Sequence, residues 1–311
     1  MKIFKEGACL KKIFALLAAC CLILCGCNNN VQQSDDTPDA LPVMVTTSPE
    51  NGEPSPYPVT VNDTVIKSAP QKTVCLSQFL TEILFEMGYG ETLVGRDSYC
   101  DFPEKASEIA DVGKPTKPDL AKIIELKPDI LLTATPIPTK DIYQLEEAGI
   151  TTVYIPNPTT IDKFNKVYCA VGMIYEGLFD GENVGNAAFS SISDAFNSVE
   201  KSEERFVYIT EGLSVAGGDT FESSVLSLFG KNAAEEGKEY SFNKEFLSDL
   251  QPERIFVNSI YTIDDLLADE VFGGLTAVQN GNVIFVDNVY FERPSGRITE
   301  LIDSIKTKIE Q

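Results

Sequence analysis

Histidine and tryptophan are both absent from the 311 residues, and arginine occurs at only five positions, Arg96, Arg205, Arg254, Arg293 and Arg297. Without histidine the chain lacks the commonest metal ligand and the commonest general base, so neither a Ser/His/Asp nor a Cys/His catalytic set can be assembled. The eight cysteines include no Cys-x-x-Cys pair, which removes the usual zinc and dithiol signatures. No G-x-G-x-x-G or Walker spacing is present, and Gly217-Gly218 before Asp219-Thr220 reads first as a turn. Basic residues are outnumbered, 25 Lys and Arg against 47 Asp and Glu, and the net charge of −22 makes nucleic acid and anionic membrane surfaces poor partners. An enzyme would need a base or a metal site that these residues do not supply, and no cofactor is implied.

What is present begins at the N-terminus. Lys2, Lys5, Lys11 and Lys12 against the single acid Glu6 form a basic head. An apolar run from Ile13 to Leu24, short for a permanent membrane span, leads into Leu24-Cys25-Gly26-Cys27. This pattern predicts a lipoprotein signal peptide over residues 1–26, with Cys27 carrying the lipid. Residues 27–62 are rich in Asn, Gln, Ser, Asp, Thr, Pro and Gly, and are expected to form a disordered, lipid-anchored linker kept extended by the Pro-rich stretch from Ser48 to Pro56. Removal of residues 1–26 leaves 21 basic and 46 acidic residues, a net charge of −25. Only Cys75, Cys100 and Cys169 then remain in the fold, and whether Cys75 pairs with Cys100 is open, since disulfide geometry cannot be read from sequence.

From Thr73 onward, short apolar runs alternate with helical periodicity. Strands are predicted at Thr73–Ser77, Thr92–Gly95, Asp129–Leu132 and Thr152–Ile155, with helices over Phe79–Met87, Asp119–Leu126 and Thr139–Ala148. Two helical stretches follow, Ile161–Leu178 and Asn183–Val199, separated by Asp180-Gly181, and the second reads as a connector. Alternation resumes with strands at Arg205–Thr210, Arg254–Asn258 and Val283–Val286, and a closing helix over Arg297–Lys308. The expectation is an α/β protein with two Rossmann-like lobes, residues 63–180 and 205–311, joined by a long connector helix within 181–204 and leaving a ligand cleft between them.

Several segments resemble the solute-binding proteins of ABC importers for cobalamin, haem and iron-siderophore complexes: Val94 to Pro103, Asp111-Val112-Gly113, Pro118-Asp119-Leu120 leading to Leu132, Gly217 to Gly230, and Asn243 to Pro252. The closing segment Asn288 to Pro294 is similar to the cobalamin-binding branch in particular. This resemblance implies a ligand held between loops of both lobes with small hinge motion. The contacts it suggests are Ser77, Gln78, Tyr99, Phe102, Thr135, Gly217, Tyr240, Tyr290, Phe291 and Arg293. It also implies docking on a permease through one acid per lobe. Glu245 stands at the matching place in the second lobe, while the first-lobe position holds Ala121, so the contact has either moved to Asp119 or Glu125 or been lost. The cobalamin branch often uses tryptophans, and Pro115 and Ala134 stand where bulky rings are expected. Without histidine a haem iron needs Tyr or Met as axial ligand, and an anionic catecholate generally wants an arginine cluster; a neutral or weakly charged corrinoid, or a hydroxamate-type complex, asks less of these residues.

The sequence thus predicts a non-enzymatic, monomeric lipoprotein on the outer face of the cytoplasmic membrane, capturing a small molecule for an ABC permease and its ATPase. The alternative is a surface lipoprotein using the same fold as a ligand sensor or adhesion module without transport.

Overall fold

A computed structural model describes residues 54–310; the expected signal peptide, the lipid site Cys27 and the linker up to residue 53 lie outside the described residues. The chain becomes regular earlier than the expected linker end at 62. Strands β1 (Val59–Val61) and β2 (Thr64–Ile66) form an antiparallel hairpin whose Val59, Val61 and Ile66 are buried. The turn is Asn62-Asp63, both at positive φ (45° and 65°), which is the backbone a two-residue hairpin turn requires. Asn62 and Thr64 bond to the carbonyls of Tyr154 and Thr152, so the hairpin lies along the edge of the first lobe.

That lobe is built on β3 (Thr73–Leu76), buried at every position because the strand is covered on both faces. It is followed by α1 (Gln78–Glu86), β4 (Leu93–Arg96), the short antiparallel pair β5 (Gly113–Lys114) and β6 (Lys117–Pro118), α2 (Leu120–Leu126), β7 (Ile130–Thr133), α3 (Thr139–Glu147) and β8 (Thr151–Tyr154). The sheet order is β4-β3-β7-β8, all parallel. Ser77, Asp119 and Thr160 cap the helices that follow them with their side-chain oxygens, as short polar side chains before an apolar periodic run should.

The long helical segment α4 (Ile161–Asn197) is broken at Gly177, whose φ of 76° and ψ of −165° are open to glycine and strained for any other residue. Phe164 packs on Phe189 with ring centroids 5.2 Å apart, and Asn165 bonds Asn186 at 3.0 Å. An unbroken helix would separate Phe164 from Phe189 by roughly 37 Å at 1.5 Å per residue. The segment therefore folds back on itself as an antiparallel hairpin. Gly172, Gly181 and Gly185 line the seam, where a Cβ at Gly172 would come within 2.1 Å of the Gly181 carbonyl oxygen. The reversal falls at Gly177 rather than at the expected Asp180-Gly181. Contacts to both lobes come from the first arm: Ile161 N donates to Ser224 Oγ and Phe164 meets Phe221, while Tyr168 and Tyr175 bond Glu86 and Thr73.

The second lobe contains β9 (Arg205–Thr210), β10 (Ser214–Val215), α5 (Phe221–Leu226), β11 (Lys231–Asn232), α6 (Leu247–Leu250), β12 (Arg254–Asn258), α7 (Ile263–Ala268), α8 (Thr276–Gln279), β13 (Val283–Val286), α9 (Val289–Glu292) and α10 (Ile298–Ile309). Its sheet runs β10-β9-β12-β13, with β11 also paired to β9; the β9-β12-β13 core is parallel. One apolar core is shared by α1, both arms of α4, α10 and residues of both sheets, and two smaller cores fill the outer side of each lobe. The lobes are therefore welded along one side by buried apolar surface.

Candidate functional site

Loops that leave the carboxyl ends of the parallel strands are the natural binding region of such sheets. Here the two carboxyl edges meet. Arg293, after β13, pairs with Asp101, after β4, and the Arg297 guanidinium carbon lies 4.3 Å from the centre of the Phe102 ring. Deeper in, Ser295 and Arg297 bond the Glu82 carboxylate, and Gly296 N donates to Glu86 Oε1 at 2.8 Å.

Two exposed aromatic rings, Tyr99 and Phe102, stand on the loop after β4. Tyr99 is 47 % and Phe102 41 % exposed. The loop presenting them is rigidly built. Asp97 is fully buried, with Oδ1 accepting from Tyr99 N at 2.7 Å and Oδ2 from the Cys100 thiol at 3.1 Å. Burial pushes the Asp97 carboxyl above its ordinary range, against those hydrogen bonds. Gln78 Nε2 donates to Tyr99 O at 2.7 Å, and Lys114 Nζ lies 5.7 Å from the centre of the Tyr99 ring. In the second lobe Tyr240 is also 47 % exposed, and its hydroxyl donates at 2.8 Å to Glu222 Oε1, a carboxylate only 6 % exposed.

The remaining expected contacts have partners of their own within the fold. Ser77 is buried, its hydroxyl spent on capping Leu80 N. Thr135 is held by its own turn, with Thr133 Oγ1 accepting from Thr135 N and donating to Thr135 O. Gly217 packs so closely against residue 237 that a Cβ would sit 2.3 Å from the Gly237 carbonyl oxygen; its lack of a side chain serves backbone packing. Phe291 is core, 6 % exposed and edge-on to Tyr208 and Phe221, because the sheet and α5 close over it. Tyr290 turns its hydroxyl to Glu300 at 3.0 Å and lines a small pocket of about 280 Å³ with Ser259, Asp287 and Lys308 at the β13 edge.

Of the expected docking acids, Asp119 caps the N-terminus of α2 at the carboxyl edge of the sheet. Glu125 is in the last turn, roughly 9 Å further down a helix rising 1.5 Å per residue. Glu245 is exposed in the 3-10 turn Lys244–Phe246. Cys75 and Cys100 are both buried and free, and the Cys100 thiol meets the Thr81 hydroxyl at 3.3 Å.

Glu82 and Arg297 were not singled out by the sequence reading, although a signal existed. Glu82 is an acid inside the uninterrupted buried run Phe79–Leu84, where a charge requires a partner. Among the described residues no group of three or more His, Cys, Asp or Glu could hold a metal ion, and no helix is long and apolar enough to cross a membrane.

Known proteins share this architecture. The chain is 26 % identical over 322 residues to an uncharacterized ABC transporter substrate-binding lipoprotein of Bacillus subtilis, covering 96 % of each chain. It is 25 % identical over 272 residues to a vitamin B12-binding protein of Vibrio campbellii, covering 80 % of this chain and 95 % of that one. Among solved structures, the heme-binding protein HutB of Vibrio cholerae superposes with a TM-score of 0.66 at 19 % identity, over 78 % of this chain and 99 % of that one. The petrobactin-binding protein YclQ of Bacillus subtilis gives 0.63 at 20 % identity, over 80 % and 95 %. At these identities the two structures speak for the fold. The sequence profile of the family described as periplasmic binding protein matches residues 73–290, the whole span from β3 to α9, and the chain belongs to that family.

Proposed function

We propose that this protein is the extracytoplasmic receptor of an ABC importer, lipid-anchored through Cys27, that takes a corrinoid or a ferric-siderophore complex into the cleft between its lobes and presents it to the permease. The observation carrying this reading is the likeness over 96 % of the chain to an ABC transporter substrate-binding lipoprotein, a span that reaches into the N-terminal segment read as signal and tether. The vitamin B12-binding relative supports the corrinoid half. The exposed rings of Tyr99, Phe102 and Tyr240 suit a large, partly apolar ligand, since aromatic side chains bury much area at small entropic cost. Arg293 is already paired with Asp101 and Arg297 with Glu82, so neither is a spare cation for a polyanionic chelate or for haem carboxylates. No chemistry on the ligand is assigned; the role is capture and release.

The test is a thermal-shift and calorimetric screen of the soluble domain with cyanocobalamin, aquocobinamide, hemin, ferrioxamine and ferric enterobactin. A ligand at a hundred times its dissociation constant stabilises by about 2.7 kcal/mol. A clear shift with a corrinoid or ferrioxamine and none with hemin or ferric enterobactin is expected. The reverse pattern would overturn the ligand assignment, and ligand binding without protein-dependent uptake by cells would point to a sensor in place of a transport receptor.

A further inference from the structure

The segment that enters α10 is tied to the first lobe by side chains far from it in sequence. Glu82, 1 % exposed, accepts from Ser295 Oγ at 2.6 Å and from Arg297 Nε and Nη2 at 2.9 and 2.5 Å. One turn along the same helix, Glu86 accepts from Gly296 N at 2.8 Å and Tyr168 OH at 2.5 Å. The edge of the Arg297 guanidinium is thus fixed on a buried carboxylate while its carbon sits 4.3 Å from the centre of the Phe102 ring. Arginine does this with separate parts of one rigid plane. Its delocalised plane forks onto a carboxylate with two nitrogens and stacks its face on an aromatic ring, whereas a lysine ammonium is a point charge that has no planar face to stack and cannot reproduce the fork. Burial works against the Arg297 charge, but Glu82 outweighs it and holds the group protonated beyond its usual range.

We propose that Arg297 is a positioning residue of the ligand cleft: clamped by Glu82, it holds the Phe102 ring as a preset wall and ties the lobes together at that wall. Phe102 is 41 % exposed, so without the guanidinium behind it the ring has solvent on much of its surface and little to fix its rotamer. With it, the ring enters binding already ordered, and ligand association does not bear the cost of ordering it. What the wall meets rests on the solute-binding reading; the packing itself can be tested without any ligand.

The chain has no tryptophan, so Phe102→Trp places a single indole at the wall. In that background Arg297→Lys should raise acrylamide quenching and lower the anisotropy of the indole at temperatures where a cooperative melting transition shows the variant folded. A folded Arg297→Lys variant with unchanged quenching and anisotropy overturns the proposal. Should that variant fail to fold, the wild-type background decides. With only five arginines, the Nε–H resonance of Arg297 can be followed by nitrogen-15 NMR. Phe102→Leu should remove its ring-current shift, and a resonance that does not move sinks the idea. With cyanocobalamin as probe, Phe102→Ala and Arg297→Lys should each weaken binding about tenfold, within the range for a packed aromatic anchor, and the double variant no further. Additive losses count against a shared role. Absence of cyanocobalamin binding by the parent protein removes the corrinoid reading, while the fluorescence and NMR results still decide the role of Arg297.

Discussion

Tyr240 donates its hydroxyl to the Glu222 carboxylate at 2.8 Å, and in doing so an exposed ring of the second lobe covers a carboxyl that is almost wholly buried. Burial raises the Glu222 pKa above the ordinary carboxylate range, with the Tyr240 bond opposing, and burial raises Glu86 and Asp97 likewise. These groups hold a proton more tightly in the folded state than in the unfolded one. Their contribution is therefore fully present below the unfolded pKa and is lost as pH rises through the folded value. The melting temperature should accordingly rise as pH is lowered from neutral toward the upper carboxylate range. Glu222→Gln keeps an acceptor for Tyr240 and removes the charge, so it should flatten that profile and stabilise most at neutral pH. Differential scanning calorimetry across the range checks this; a Glu222→Gln profile as steep as the parent's would rule it out.

The break in α4 carries a second expectation. A Cβ on Gly177 would lie 2.6 Å from the Pro56 carbonyl oxygen, on a backbone that already disfavours any side chain. Gly177→Ala should cost about 1–3 kcal/mol from backbone strain, with the clash adding to it, and should lower the urea midpoint without changing the slope. Loss of less than half a kcal/mol would mean that the hairpin turn is not where the structure puts it.

Phe164 is fully buried and touches Tyr168, Phe189 and Phe221, so one ring joins both arms of the hairpin to the second lobe. Phe164→Ala should destabilise by about 3–5 kcal/mol, the usual cost of emptying such a site. An effect below about 1 kcal/mol in urea unfolding would show that this shared core does not weld the lobes.

The thiols can be read by mass spectrometry. Burial pushes Cys75 up to about 12 and Cys100 upward as well, so neither is a reactive thiolate at neutral pH. In exported protein prepared without reductant, both should be alkylated after unfolding and resist alkylation before it. Recovery of a linked Cys75–Cys100 peptide would contradict the free, separate thiols of the structure.

Much of this fold was legible in the sequence because its central strands are short apolar runs buried on both faces, as at Thr73–Leu76 and Arg254–Asn258, and periodicity finds such runs directly. The hairpin at residues 59–66 is hard to read from sequence, because the Pro-rich composition just before it masks the alternation of Val59 and Val61 and the Asn62-Asp63 turn. The reversal at Gly177 competed with Asp180-Gly181 as a breaker, and only the packing of Phe164 on Phe189 distinguishes the two. For the site, exposed rings such as Tyr99 came through the resemblance. Phe291 could not be separated from them, because an aromatic in an Asn-Val-Tyr-Phe-Glu segment faces core or cleft according to tertiary closure alone. The Glu82–Arg297 pair spans 215 positions, a separation at which sequence spacing carries no information.

The last expectation separates the ligand face from the docking face. Tyr99 stands 47 % exposed on a loop braced by Asp97 and Gln78, whereas Tyr290 is partly buried and bonded to Glu300. Truncating Tyr99 to Ala should weaken cyanocobalamin binding by roughly 1–3 kcal/mol, as for a packed aromatic anchor, with little change in melting temperature. Tyr290→Ala should cost some stability by losing its bond to α10. Asp119→Ala and Glu245→Ala act on one exposed acid of each lobe, so they should leave calorimetric affinity intact and lower uptake by cells, each by steering and orienting the encounter with the permease. Glu125→Ala, at the far end of α2, should change neither quantity. If Glu245→Ala abolishes ligand binding while Tyr99→Ala binds like the parent, the cleft and the docking face have been interchanged.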